Sequence, residues 1–217
     1  MFKWAEKKGW CGKGTFENLR TADQVKRTTP GVRNTDRRKA AVWEEVKLVI
    51  DECPPVVGAM LHLQWLTGMR TGEVCDLRLD EIDRKGEVWL YRPSKHKMSH
   101  AGQERVVALG PECQRILEPW IKRWEECYLF PPSRRRLKPN ARYKPEYYAR
   151  TVSEAAKRLG IKLCPYQLRH AAKKRFTQEF GLDGARAALG QMSLATTDSY
   201  DHHQDLDVAV EIARKRA

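Results

Sequence analysis

Apolar residues recur at helical spacing from Ala40 onward, and the period changes to alternation once, between Gly86 and Leu109. That single change constrains the fold more than any other feature, because a helical pattern cannot be buried as a strand nor the reverse. From Ala40 to Glu52, the side chains of Trp43, Val46, Val49 and Ile50 fall on one face. Pro54 and Pro55 end that helix, Val56 to Trp65 starts another, and a short helix is expected after Gly72 with Val74, Leu77 and Leu79 on its buried side. Gly86–Tyr91 then reads as a strand and Glu104–Leu109 as its antiparallel partner, with a polar, basic loop from Pro93 to Gln103 between them. Pro111 opens a helix through Trp120 and Trp124, and Tyr128 to Phe130 reads as a short extended piece. Further helices are expected at Pro145–Leu159, stopped by Gly160, at Tyr166–Phe180, at Leu182–Leu189 and from Leu206 to near the end. The fold class is mainly α with a small antiparallel β-sheet, an α+β domain.

The first residues behave differently. A short helical piece around Phe2–Lys8 leads into a Gly-, Thr- and Arg-rich stretch broken by Pro30 and Gly31, which reads as a linker. The expected division is 1–35 as a minor N-terminal segment and 36–217 as the main domain. No run approaches the length of a membrane span, and the start lacks the apolar run of a secretory signal, so a cytoplasmic protein is expected.

Charge narrows the partners. The chain carries 41 Lys plus Arg against 28 Asp plus Glu, a net +13. Residues 1–40 hold eleven basic and four acidic side chains, and residues 131–160 hold nine and two, so each block is +7 while the remainder is −1. Two basic blocks around a balanced, apolar-patterned middle suit surfaces set against phosphates. A merely soluble basic protein is the plainer reading of charge alone, and an RNA-binding or basic scaffold protein is a further, lower-ranked one. The six cysteines stand more than four positions apart and the six histidines form no ligand spacing, so reduced thiols and no metal are expected.

Three local stretches carry chemistry when taken together. LTGMRTGEV places Arg70 at a helix–turn–helix junction with Glu73 nearby; YQLRH puts Arg169 early in a helix; LGQMSLATTDSY brings Tyr200 just after a helix and turn. Singly, each has a bland reading as an ion pair or a packing residue. In this order, joined by the WLYRPSKHKM and ERVVALGPE stretches, they resemble the tyrosine recombinase (phage integrase) family over about residues 36–210, the extent of its catalytic domain.

The resemblance implies a reaction on double-stranded DNA in which a tyrosine oxygen attacks a phosphate, giving a 3′-phosphotyrosyl link and a free 5′-hydroxyl, with no cofactor. Tyr200 matches the nucleophile. Arg70 and Arg169 match two guanidinium groups that meet the charge growing on the non-bridging oxygens. Lys97 matches the general acid for the leaving 5′-oxygen, with Lys95 as the other candidate, and Glu73 matches the acidic residue that orients Arg70. Two positions depart from the family's pattern: Tyr166 stands where His is usual, and Gln191 where His or Trp is usual. Both can donate hydrogen bonds to a phosphate oxygen, but neither is the acid–base group that imidazole is near neutral pH, and impaired catalysis is expected. His170 reads as structural. Lys95, Arg134, Arg135, Arg136, Lys173 and Lys174 are the candidate DNA-binding residues. The family's N-terminal core-binding domain is expected to be represented only by its final helix and the basic linker. A homotetramer on DNA and a monomer in solution, with Leu206–Ile212 packed on its own domain, complete the expectation. The alternative is a truncated, weakly active or inactive DNA-binding remnant.

Overall fold

The computed structural model describes residues 1–22, 29–31, 39–94, 105–121, 128–132, 141–190 and 202–215. These form two compact units, Met1–Arg38 and Lys39–Ala217. Within the first, α1 (Phe2–Lys7) and α2 (Thr15–Thr21) bury none of their residues completely. The rings of Trp4 and Trp10 meet edge to face at 4.8 Å, and the Glu6 carboxylate accepts the Gly14 backbone N–H at the start of α2. The sequence reading found α1 and missed α2.

In the second unit the helices are α3 (Trp43–Glu52), α4 (Pro55–Thr67), α5 (Thr71–Cys75), α6 (Pro111–Ile121), α7 (Pro145–Arg158), α8 (Pro165–Leu189) and α9 (His202–Arg214). Proline at the first position of α4, α7 and α8 marks their starts, where its missing N–H leaves no helical bond unmade. The antiparallel sheet has the order β1 (Ile82–Asp83), β2 (Trp89–Tyr91), β3 (Val107–Leu109), with Ile82 opposite Tyr91 and Tyr91 opposite Val107. The alternation signal found β2 and β3, though both are shorter than expected, since residues 85–88 bend instead of pairing. Two-residue β1 has no period to detect. Tyr128, expected to be extended, forms an isolated bridge with Arg78. The helices expected at 166–180 and 182–189 are both present as the two arms of α8, divided at Gly181, whose φ of 74° and ψ of −178° break the helical path.

Helix α4 is the hub of the core. Val57, Met60, Leu61 and Leu63 on it are fully buried against α3, α6, α7 and the sheet. Trp65 of α4 stacks on Trp43 of α3 at 5.2 Å, and the Arg175 guanidinium from α8 lies 3.8 Å from the Trp65 ring centre. A smaller apolar cluster of Ala172, Phe176, Ala185, Leu189 and Ile212 packs α9 onto α8 of its own chain. Ala213 lies so close to Gly110 that a Cβ there would sit 2.0 Å from its carbonyl oxygen. Among the described residues, no helix is long and apolar enough to cross a membrane.

Gly68 closes α4 with φ 65° and ψ 15°. A Cβ there would lie 2.5 Å from Leu189 Cδ2 and 2.7 Å from the Ala172 Cβ. Gly68→Ala is expected to cost ~1–2 kcal/mol for the left-handed backbone and a further ~1–3 kcal/mol for overpacking. The melting temperature of the whole chain should therefore fall by several degrees, and an unchanged melting curve would contradict this account of the turn.

Candidate active site

The turn that leaves α4 at Gly68 sets the site. Buried polar groups hold it: the Tyr148 hydroxyl donates to Gln64 Oε1 at 2.9 Å, and Gln64 Nε2 donates to the Met69 carbonyl at 3.1 Å. Thr67 Oγ1 accepts the Met69 N–H at 3.2 Å. Burial of these groups makes their pairing obligatory, which fixes where the next residue begins. That residue is Arg70, the N-cap of α5 in extended backbone geometry.

Glu73, three residues on, faces inward and is 4% exposed. Its Oε2 accepts the Arg70 backbone N–H at 2.8 Å, and its Oε1 accepts Arg70 Nη1 at 2.6 Å. One carboxylate thus caps the first turn of α5 and aims the Arg70 guanidinium. Burial alone would raise the Glu73 pKa, but the charge of Arg105, the Arg70 N–H bond and the Arg70 charge outweigh it and hold the group down to about 2. Tyr91 anchors the same helix from β2, its hydroxyl donating to the Glu73 carbonyl at 3.1 Å.

Arg169 comes from the second turn of α8. Gln167 fixes that helix start by accepting the Cys164 N–H at 2.8 Å and donating to the Lys39 carbonyl at 2.9 Å. Arg169 is 8% exposed, and its Nη1 and Nη2 donate to the carbonyls of Gly68 and Leu189, both at 2.8 Å. These bonds use two of five guanidinium N–H donors. Burial, then the charges of Arg70 and Arg105, lower its pKa to about 10, so it remains a cation at neutral pH. Glu73 acts in the opposite direction. Two arginines from helices far apart in sequence therefore share one electrostatic site.

Tyr166 lies one turn before Arg169 on the exposed side of α8, 56% exposed, with its ring edge-on to His170 at 4.6 Å. His170 thus contacts Tyr166 on the surface and is no part of the core. Lys173 and Lys174 continue the exposed side of α8 beyond it. Of the residues singled out from sequence, Arg70 and Glu73 lie at the start of α5, and Tyr166, Arg169, Lys173 and Lys174 lie on α8. Lys95, Lys97, Arg134, Arg135, Arg136, Gln191 and Tyr200 lie outside the described residues.

Sequence reasoning missed Arg105. Its Nε and Nη2 approach Glu73 Oε1 and Oε2 at 3.4 and 3.5 Å, and its Nη1 donates to the Val106 carbonyl at 2.8 Å. The side chain is 3% exposed. The signal was present: in ERVVALG, alternation puts Arg105 on the same face as the buried Val107 and Leu109, and a buried arginine requires a partner.

The sequence profile of the phage integrase family matches residues 44–206. The tyrosine recombinase XerA of Pyrococcus furiosus is 28% identical over 75% of this chain. The chain spans 56% of that relative's length. The crystal structure of XerA recombinase superposes with a TM-score of 0.58 at 21% identity, over 94% of this chain and 77% of that one. A lambda integrase tetramer bound to a Holliday junction gives 0.61 at 14% identity, over 100% of this chain and 56% of the other. These likenesses place the fold of α3 to α9 and its sheet among those recombinases.

Proposed function

The chain belongs to the phage integrase family, and from that membership we propose that it cuts and rejoins duplex DNA at a specific site through a phosphotyrosyl intermediate. The observation that carries the proposal is the pair Arg70 and Arg169, one held by the Glu73 carboxylate and the other by two backbone carbonyls. Two guanidinium groups fixed in advance suit a phosphate whose non-bridging oxygens gain charge as it is attacked, because nothing need reorganise at that moment.

In the proposed step the Tyr200 oxygen bonds to phosphorus as the bond to the 5′-oxygen breaks. The phenolic proton passes to a base or to solvent, and Lys97, or Lys95, protonates the departing 5′-oxygen. Reversal rejoins the strand, since the phosphodiester energy is stored in the tyrosyl ester. Tyr166 and Gln191 serve as hydrogen-bond donors to the phosphate. They lack the acid–base capacity of imidazole, so the reaction runs more slowly, by roughly 10²-fold for one such group. Exposure of Tyr166 on the same helix as buried Arg169 supports its reaching toward a ligand laid across α8.

Double-stranded DNA is the proposed partner, with Lys173 and Lys174 on the exposed side of α8 and Lys95 and Arg134 to Arg136 neutralising phosphates. The lambda integrase neighbour is a tetramer on a Holliday junction, and four protomers on DNA are proposed here, from a monomer in solution whose α9 packs on its own domain. Neutralising Arg134, Arg135 and Arg136 together should flatten the dependence of log affinity on log salt by about 0.9 for each phosphate no longer paired with a cation. A filter-binding titration with the same slope as the parent would remove that segment from the interface.

The function itself is tested by covalent capture from a library of nicked duplexes with a randomised core. An SDS-resistant protein–DNA species supports the recombinase reading. Duplex binding with no such species, even after Tyr166→His and Gln191→His, leaves the non-catalytic DNA-binding reading instead.

A further inference from the structure

Glu73 is a single carboxylate serving two arginines. Arg70 takes the shorter bonds, at 2.6 and 2.8 Å, while Arg105 approaches both oxygens from behind at 3.4 and 3.5 Å. The Arg105 side chain is 3% exposed and makes its bonds inside the protein, the third tying it to the carbonyl next in its own chain. It touches one more part of the site. Gly190 ends α8 in the left-handed conformation, φ 56°, and a Cβ there would lie 2.6 Å from Arg105 Nη1 and 3.1 Å from its Cδ. Any larger residue at Gly190 would have to displace the guanidinium. Leu189, the residue before, supplies one of the two carbonyls that hold Arg169.

We propose that Arg105 is a positioning residue for strand cleavage, a buried cation that fixes the Glu73 carboxylate behind Arg70 and at the same time seats the Gly190 turn that holds Arg169. Through it, β3, α5 and the end of α8 are set relative to one another, so the two phosphate-facing arginines keep a constant separation. The proposal rests on the reading of Arg70 and Arg169 as the phosphate site. Arg105→Met removes the cation but keeps most of the volume. It leaves Glu73 as a buried charge short of one partner, which destabilises the fold. Arg105→Met with Glu73→Gln removes both charges and should recover most of the lost melting temperature.

Two measurements on the full chain decide the matter. By hydrogen–deuterium exchange, Arg105→Met and the double variant should both exchange faster, about tenfold or more, at α5 and at the end of α8, while α7 stays as protected as in the parent. In single-turnover cleavage of the captured nicked duplex, both should be slowed by about 10²-fold, the size expected when catalytic groups move by about 1 Å. Duplex affinity and its salt slope should be unchanged. A double variant that melts like the parent and cleaves at the parent's rate would overturn the proposal. So would unaltered exchange at α5 and the end of α8, whatever the chain does to DNA. A drop of about one in the salt slope would make Arg105 a phosphate contact instead and overturn it equally. A parent chain that forms no covalent species would sink the recombinase reading, and the exchange comparison would still judge Arg105.

Discussion

Arg169→Ala is expected to slow strand cleavage by about 10³-fold and also to lower the melting temperature, a combination that an exposed phosphate contact would not produce. The rate falls because one of two fixed cations is gone from the oxygens where charge accumulates. Stability falls because the carbonyls of Gly68 and Leu189, which accept Arg169 at 2.8 Å, lose their donor. Each buried carbonyl left unpaired costs ~1–3 kcal/mol. Arg169→Lys separates the two effects. An ammonium keeps the charge but cannot reach both carbonyls in the planar fork of a guanidinium. It should therefore retain part of the rate and lose most of the anchoring. Calorimetry beside single-turnover cleavage checks both: a variant with parental melting, or with cleavage reduced less than tenfold, would refute the double role.

The same residue illustrates what could be read in advance. Arg70, Glu73 and Arg169 stood out from sequence because their motifs occur in a set order, and α5 and α8 bring them to one place. The apolar period disclosed α3, a continuous apolar run disclosed α4, and opening prolines marked α6 and α7. None of these signals disclosed β1 or α2, which are too short or too exposed to carry a period. Strands β2 and β3 came out shorter than read because their flanking residues share the alternation but bend or leave the ladder. Gly181 divides α8 where the sequence reading parted the two helices, and its positive φ is one that glycine adopts without strain.

Arg105 was passed over for a different reason. Its side chain belongs to the buried face of a strand-like run, and its partner Glu73 lies 32 residues earlier. Pattern can mark such a charge as buried, but only the fold names what neutralises it. Glu73 shows the converse. Matched from sequence as the residue that orients Arg70, it also caps α5, one oxygen on the Arg70 guanidinium and the other on the Arg70 backbone N–H.

The second large effect concerns Tyr200. If its oxygen is the nucleophile, Tyr200→Phe deletes the atom that bonds to phosphorus and keeps the ring. Covalent capture should then vanish while duplex affinity stays within a few-fold of the parent, because the basic residues that meet the phosphates are untouched. Arg70 and Arg169 would still hold the phosphate, so disappearance of the species could not be ascribed to a damaged site. The direct measurement is mass spectrometry of the SDS-resistant species after nuclease trimming. A nucleotide joined through its 3′-phosphate to the peptide bearing Tyr200, and absent from Tyr200→Phe, is the predicted result. A nucleotide on any other residue, or no covalent species from a parent chain that binds the duplex, would contradict the assignment.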